Sequence, residues 1–196
     1  MRFSKLLLAV VGAAVLLGAL AISASAAHLE YSAQAIKATW TRWNFRGGFG
    51  TVECEVVLSG SFHSRTITKT AGSLIGYITA GSVLRCARWG ATTNQSSLPW
   101  HREYRSFAGE LPSITGVSET VTGAEWTLRE PVFGVTCTIR REQSSTILTY
   151  TVSSGVVTRA DVSASGFCAS AGNVIIEGST ERVEDGAGHR LTITLM

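Results

Sequence analysis

Apolar and polar residues alternate along several segments of this chain. In the clearest case, every second residue over positions 52–62 is apolar or glycine, and the residues between them are mostly polar, with Val57 as the exception. A period of two is typical of a β-strand that buries one face. The same alternation recurs at 133–140, 148–153 and 191–195, so strands are predicted at all four places.

Further strands are indicated by segments rich in Thr, Val and Ser, at positions 34–43, 74–86, 98–108, 117–129, 156–164 and 173–183. Clusters of Gly, Ser, Asn and Asp separate these segments, as turns require. Only residues 69–74 suggest a short helical turn. About ten short strands with no amphipathic helix between them predict an all-β fold, an antiparallel sandwich or barrel. The pattern does not decide between these two architectures.

The first 26 residues have the plan of a helical secretory signal peptide. Arg2 and Lys5 precede an unbroken apolar and small-residue run at 6–22, and Ala-Ser-Ala follows at 24–26. The run is at the short end for a membrane span, so cleavage after Ala26 is favoured over an uncleaved anchor. We therefore predict a signal peptide at 1–26 and a single β domain at 27–196. The domain is expected to be secreted or otherwise extracytoplasmic, with no membrane span after cleavage.

Charge excludes one class of partner. The full chain has 17 Lys and Arg against 14 Asp and Glu. Because Arg2 and Lys5 lie in the predicted signal peptide, the remainder carries 15 basic and 14 acidic residues. Nucleic-acid binding needs a concentrated positive surface, so no nucleic-acid partner is expected.

The cysteines indicate disulfide bonds. An even number of cysteines in an exported chain favours disulfides over free thiols. Of the three possible pairings, the similar spacings of 32 and 31 residues favour Cys54–Cys86 and Cys137–Cys168. Each would close a loop of about thirty residues, worth about 3–4 kcal/mol in the chain-entropy model. With no CxxC and no histidine at zinc-ligand spacing, neither a redox site, a metal nor another cofactor is predicted.

Catalytic motifs are missing from the sequence. There is no G-x-S-x-G elbow, no H-E-x-x-H, no P-loop and no dinucleotide-binding glycine motif. The acidic residues Glu53, Glu55, Glu119 and Glu125 are expected on solvated faces of the sheet. A non-enzymatic protein is therefore favoured.

The segment from 98 to 116 holds the candidate ligand-binding residues Trp100, His101, Glu103 and Tyr104. Alternation places Trp100 and Tyr104 on a buried face and the other two on the outer face, and it breaks near Arg105, which predicts a β-bulge. A carboxylate beside His101 would favour the charged imidazole and suit acid–base work. A solvated strand face with alternating charge explains the same pattern and is favoured.

Five tryptophans are many for this length. Exposed on a β scaffold, they would stack on sugar rings or line an apolar pocket. Core packing is favoured for Trp100 and Trp126, and both interpretations stay open for Trp40, Trp43 and Trp89.

Several segments resemble a group of uncharacterised secreted bacterial all-β proteins. The resemblance is carried by residues 60–67, 72–77 and 98–107 and by Leu-Pro-Ser-Ile at 111–114, with the Leu-Pro-Trp…Leu-Pro-x-Ile pattern as the most specific part. It implies export, the four-cysteine plan and an all-β fold. It implies no activity.

The leading hypothesis is an exported, non-enzymatic binding or structural β domain at or outside the cell envelope, with an envelope lipid, glycan or protein as partner. One alternative is a secreted hydrolase of envelope or extracellular polymer, with His101 and Glu103 as the acid–base pair. Another is a β-barrel carrier of an apolar ligand, lined by Trp100 and Tyr104. The oligomeric state is left open.

Overall fold

The computed structural model describes residues 28–110, 113–140 and 145–196, so the predicted signal peptide and Pro112 lie outside the described residues. The described residues form fifteen β-strands and one three-residue 3-10 helix, Gln95–Ser97. The strands are β1 (His28–Tyr31), β2 (Ala35–Gly47), β3 (Gly50–Phe62), β4 (Thr66–Thr68), β5 (Leu74–Cys86), β6 (Gly90–Thr93), β7 (Trp100–Glu110), β8 (Ser113–Thr122), β9 (Trp126–Arg129), β10 (Thr136–Ile139), β11 (Ser145–Ser153), β12 (Val156–Cys168), β13 (Gly172–Thr180), β14 (Val183–Asp185) and β15 (Ile193–Leu195).

Eight long strands form a closed antiparallel barrel. Strands β2, β3, β5, β7, β8, β11, β12 and β13 are hydrogen-bonded to one another in chain order. The ring closes where residues 175–178 of β13 pair with residues 43–46 of β2, while β14 pairs with the first half of β2. The predicted antiparallel all-β fold is confirmed, and of the two architectures the structure has the barrel.

Each end of the barrel carries a three-stranded sheet, made from connections at one end and from the first and last described strands with one connection at the other. The β5–β7 and β8–β11 connections leave the same end and supply the sheet β6-β9-β10. The sheet β4-β1-β15 belongs to the opposite end, where β2 begins and β13 finishes. We call the end with β6, β9 and β10 the disulfide end, because both disulfides lie there.

Aromatic side chains fill the interior. Trp40, Trp43, Trp100 and Trp126 are each at most 1% exposed. The Trp126 ring, from β9, lies 5.1 Å from the Trp43 ring and 5.4 Å from the Trp100 ring. The small sheet at the disulfide end is therefore packed into the barrel core. Trp89 differs, since it is half-buried against Phe49 at 4.9 Å.

The disulfides join the predicted cysteines. Cys54 and Cys86 are directly opposite each other on β3 and β5. The bond between Cys137 and Cys168 connects β10 of the small sheet to β12 of the barrel. Disulfide bonds are compatible with an extracytoplasmic location. A search of the described residues finds no helix with the length and apolar character to cross a bilayer.

Two local predictions are wrong. The segment 117–129 is not one strand, because β8 ends at Thr122 and β9 starts only at Trp126. Residues 69–74 form no helix; the Ser73 amide donates to the Thr70 carbonyl in a single turn that leads into β5.

The strand predicted from Phe133 is also shorter than expected. The Glu130 amide donates to the Val135 carbonyl, and the Gly134 amide donates to the Glu130 carbonyl. These two bonds take residues 131–135 out of the sheet as a turn, so Phe133 and Val135 are exposed rather than buried.

Glycine is required where β3 and β5 approach closely. A Cβ atom at Gly60 would overlap the Tyr77 carbonyl oxygen, and a Cβ atom at Gly76 would overlap that of Ser61. Backbone atoms cannot rotate away, as a flexible side chain could.

We expect Gly60→Ala to lower the free energy of unfolding by about 1–3 kcal/mol, as overpacking does. The measurement is denaturant unfolding. Gly90→Ala is the matched control, since its Cβ would be 3.8 Å from the nearest atom, and an equal loss in both variants would contradict the argument.

Candidate functional site

The four candidate residues of β7 lie on opposite sides of the barrel wall. Trp100 and Tyr104 are 1% and 3% exposed and point inward, whereas His101 is exposed and Glu103 is partly exposed on the outer face. The register of β7 against β8 shifts between Tyr104 and Ser106, which confirms the predicted bulge. Because the wall separates the two pairs, the four side chains do not share one surface.

The same alternation places an arginine inside the barrel. Arg102 lies between Trp100 and Tyr104 on β7 and is fully buried. Its Nε and Nη2 atoms donate to Oε2 of Glu119 at 2.9 and 2.6 Å. Glu119 is also fully buried, so the prediction that it lies on a solvated face is wrong. Its position between the apolar residues Val117 and Val121 of β8 was the sequence signal that could have indicated burial.

Three aromatic residues complete this buried polar cluster, which consists of Tyr31, Phe62, Arg102, Glu119 and Tyr150. Nη2 of Arg102 also donates to the Tyr150 hydroxyl at 3.1 Å, and the Tyr31 hydroxyl donates to Oε1 of Glu119 at 3.3 Å. The guanidinium carbon lies 4.1 Å from the centre of the Phe62 ring, a cation–π contact. Five strands, β1, β3, β7, β8 and β11, therefore meet at one charge pair.

Burial dominates the electrostatics of the cluster. Loss of water raises the pKa of Glu119, and the adjacent Arg102 opposes that shift. Burial likewise raises the pKa of Tyr31 and of Tyr150. Arg102 and Glu119 have no solvent-exposed surface, so a substrate has no access to them. The arrangement is suited to fixing the positions of the strands rather than to chemistry.

Outside the barrel, His101 belongs to a row of rings. The Tyr77 ring on β5 lies 5.4 Å from the His101 ring and 4.9 Å from the His63 ring. Among the residues described, no hydrogen bond joins His101 to Glu103 or to another carboxylate. Acid–base catalysis needs an oriented partner within hydrogen-bond reach. The row of rings therefore does not supply the acid–base pair that the hydrolase hypothesis requires.

The largest exposed apolar side chains are concentrated at the disulfide end. Val132 is 76% exposed and Phe133 is 84% exposed, both in the turn between β9 and β10. Val135 in the same turn is 40% exposed, and Phe167 of β12 and Ile175 of β13 are 47% and 48% exposed. We call these five residues the hairpin face.

Two surface depressions lie between the two parts of the hairpin face. Phe167 and Ile175 are diagonal neighbours on the same face of the β12–β13 ladder. Phe167 lines one depression together with Thr136 and Arg140. Thr136 lines a second depression with Gly134, next to Phe133. Exposed apolar residues grouped at one end of a domain are typical of an interaction surface.

The buried charge pair has a measurable energetic signature. We expect Arg102→Met to destabilise the fold by about 3–5 kcal/mol, because Glu119 is then buried without a counter-charge. Removing both charges, in Arg102→Met with Glu119→Leu, should restore most of that loss. Denaturant unfolding of both variants measures the difference, and a double variant no more stable than Arg102→Met would contradict this account.

The stability of the Arg102→Met variant should depend on pH, and the direction of that dependence can be derived. Burial holds the folded-state pKa of Glu119 above its unfolded value, and loss of Arg102 raises it further. At pH 4 the carboxyl is largely protonated in both states, whereas at pH 7 folding must either bury a charge or take up a proton. Arg102→Met should therefore lose more stability at pH 7 than at pH 4. The double variant lacks the carboxyl and should not show this difference.

Comparisons with known proteins do not extend these observations. No family model, no curated protein and no solved structure matches the chain. The functional argument therefore depends on the chain's own residues: a buried cluster closed to substrates, a row of rings on the outer wall, and an exposed apolar surface at the disulfide end.

Proposed function

We propose that this chain is an exported, non-enzymatic binding domain that acts at or outside the cell envelope and contacts its partner through the hairpin face. The observation that carries the proposal is the exposure of Val132 and Phe133 at 76% and 84%. Exposing two adjacent large apolar side chains at a turn is unfavourable in water, and contact with a partner would remove that cost.

The surrounding structure supports a preformed binding surface. The turn is closed by its own backbone hydrogen bonds, and the Glu130 carboxylate accepts a further bond from the Phe133 amide. Two residues beyond the turn, Cys137 is bonded to Cys168 of the barrel. Because the turn is ordered before contact, binding would cost little conformational entropy.

The interior is less suitable for binding. An eight-stranded barrel is wide enough either to be filled by its own side chains or to hold one small ligand. Here Trp40, Trp43 and Trp100 occupy the core, and Trp126 closes it from the disulfide end. The carrier hypothesis needs an interior cavity for the ligand, and these side chains occupy that space. The outer surface is therefore favoured as the binding site.

The proposed binding through the hairpin face predicts where the exported chain is found in a cell fractionation. We expect the wild-type chain to be retained in the envelope fraction of the producing cells and Phe133→Ser to shift at least severalfold towards the soluble exported fraction. Fractionation followed by immunoblotting measures this ratio. Leu84→Ser is the matched control, because Leu84 is 56% exposed on β5 and outside the hairpin face.

Two results would count against the proposal. One is equal retention of wild type and Phe133→Ser, and the other is an equal loss of retention in Leu84→Ser. Both substitutions replace an exposed side chain, so the two variants should unfold at the same denaturant concentration as the wild type. That comparison separates loss of binding from loss of folding.

A further inference from the structure

We infer that the partner of the hairpin face is the surface of an anionic lipid bilayer, into which Val132 and Phe133 insert while the neighbouring arginines contact lipid phosphates. This inference rests on the function proposed above, since it names the class of partner for the same surface. It is carried by the exposure of the turn and by the arginines that flank the hairpin face.

The shape is that of a tip rather than a groove. Val132 and Phe133 stand in the turn that joins β9 to β10, with Pro131 and Gly134 on either side. A protein partner would need a matching pocket for this tip, whereas the interfacial region of a bilayer accepts it without one. Shallow insertion of aromatic and aliphatic side chains is how proteins that lie on membranes bind.

Two exposed arginines flank the hairpin face. Arg129, the last residue of β9, directly precedes the turn, whereas Arg140 follows the far end of β10 and lines the same depression as Phe167. Neither forms an ion pair with another described residue. The nearby Glu130 carboxylate is held by the Phe133 amide inside the turn. Cations beside exposed apolar residues favour a surface with negative phosphates, at about 1 kcal/mol per arginine near the membrane, or about fivefold in affinity.

A second copy of the chain fits these charges poorly. If two hairpin faces met about a twofold axis, Arg129 and Arg140 of both copies would be enclosed in one interface. Like charges that lose water at an interface oppose association. An anionic bilayer satisfies the apolar and the basic residues together.

The experiment is cosedimentation of the exported, purified protein with vesicles. We expect binding to vesicles of phosphatidylcholine with 30 mol% phosphatidylglycerol, and at least tenfold weaker binding to phosphatidylcholine alone. Phe133→Ser should weaken binding to the anionic vesicles at least tenfold. Arg129→Gln with Arg140→Gln should weaken it by a similar factor and reduce its dependence on salt.

Matched controls make the same change in net charge or in apolar surface outside the hairpin face. Arg182→Gln with Arg190→Gln removes two exposed cations at the opposite end of the barrel, and Leu84→Ser removes an exposed apolar residue of β5. Both should bind as the wild type does. In a second readout, Phe133→Trp should be quenched by brominated lipid in the vesicles, whereas Leu84→Trp should not.

The outcomes separate this inference from the function it rests on. Equal binding to neutral and anionic vesicles, or vesicle binding unchanged in Phe133→Ser, overturns the lipid inference. If no vesicle binds while retention in the envelope still requires Phe133, the partner is a protein or a glycan, so the binding function stands and the lipid inference fails. If retention and vesicle binding are both independent of Phe133, both proposals fail.

Discussion

Closure of the sheet, where β13 pairs with β2, is the constraint from which the rest of this structure follows. A closed sheet of eight strands has no free edge, and it sorts alternate residues of every strand to the inside or the outside. The inside then has to be filled, and large aromatic residues fill it. The two ends remain to be covered, and a three-stranded sheet lies at each: β6-β9-β10 from two connections, and β4-β1-β15 from one connection and the first and last described strands.

The buried polar cluster limits where function can be. Arg102 and Glu119 are enclosed with Tyr31, Phe62 and Tyr150, and they tie β1 to four strands of the barrel. Such a pair adds little net stability compared with an apolar core, but it penalises any strand register that would leave one charge alone. In the barrel it therefore favours a single arrangement of β7 against β8. Because the cluster is closed to solvent, it offers no site to a ligand, and the proposed binding surface is on the outside of the barrel.

On the outer surface, the disulfide end combines rigidity with exposure. The bond from Cys137 to Cys168 holds the small sheet against the barrel, and Trp126 anchors the same sheet in the core. The turn between β9 and β10 is thus supported from behind while Val132 and Phe133 face solvent. A tip fixed in this way can present apolar side chains without collapsing onto the protein's own surface.

The sequence by itself determined most of the long barrel strands, the inward face of β7 and the bulge after Tyr104, because these depend on local alternation between apolar and polar residues. It also indicated the cysteine pairing through the spacing of the four cysteines. Only the tertiary structure decided that the sheet closes, that Arg102 meets Glu119 inside it, and that Phe133 is exposed. Each of these depends on a contact between distant segments or on a turn that ends a strand. Alternation with a period of two looks the same whether the charged residues of a strand form a buried ion pair or face solvent. The alternation pattern could therefore assign a face to each residue, but not the partner that the residue meets there.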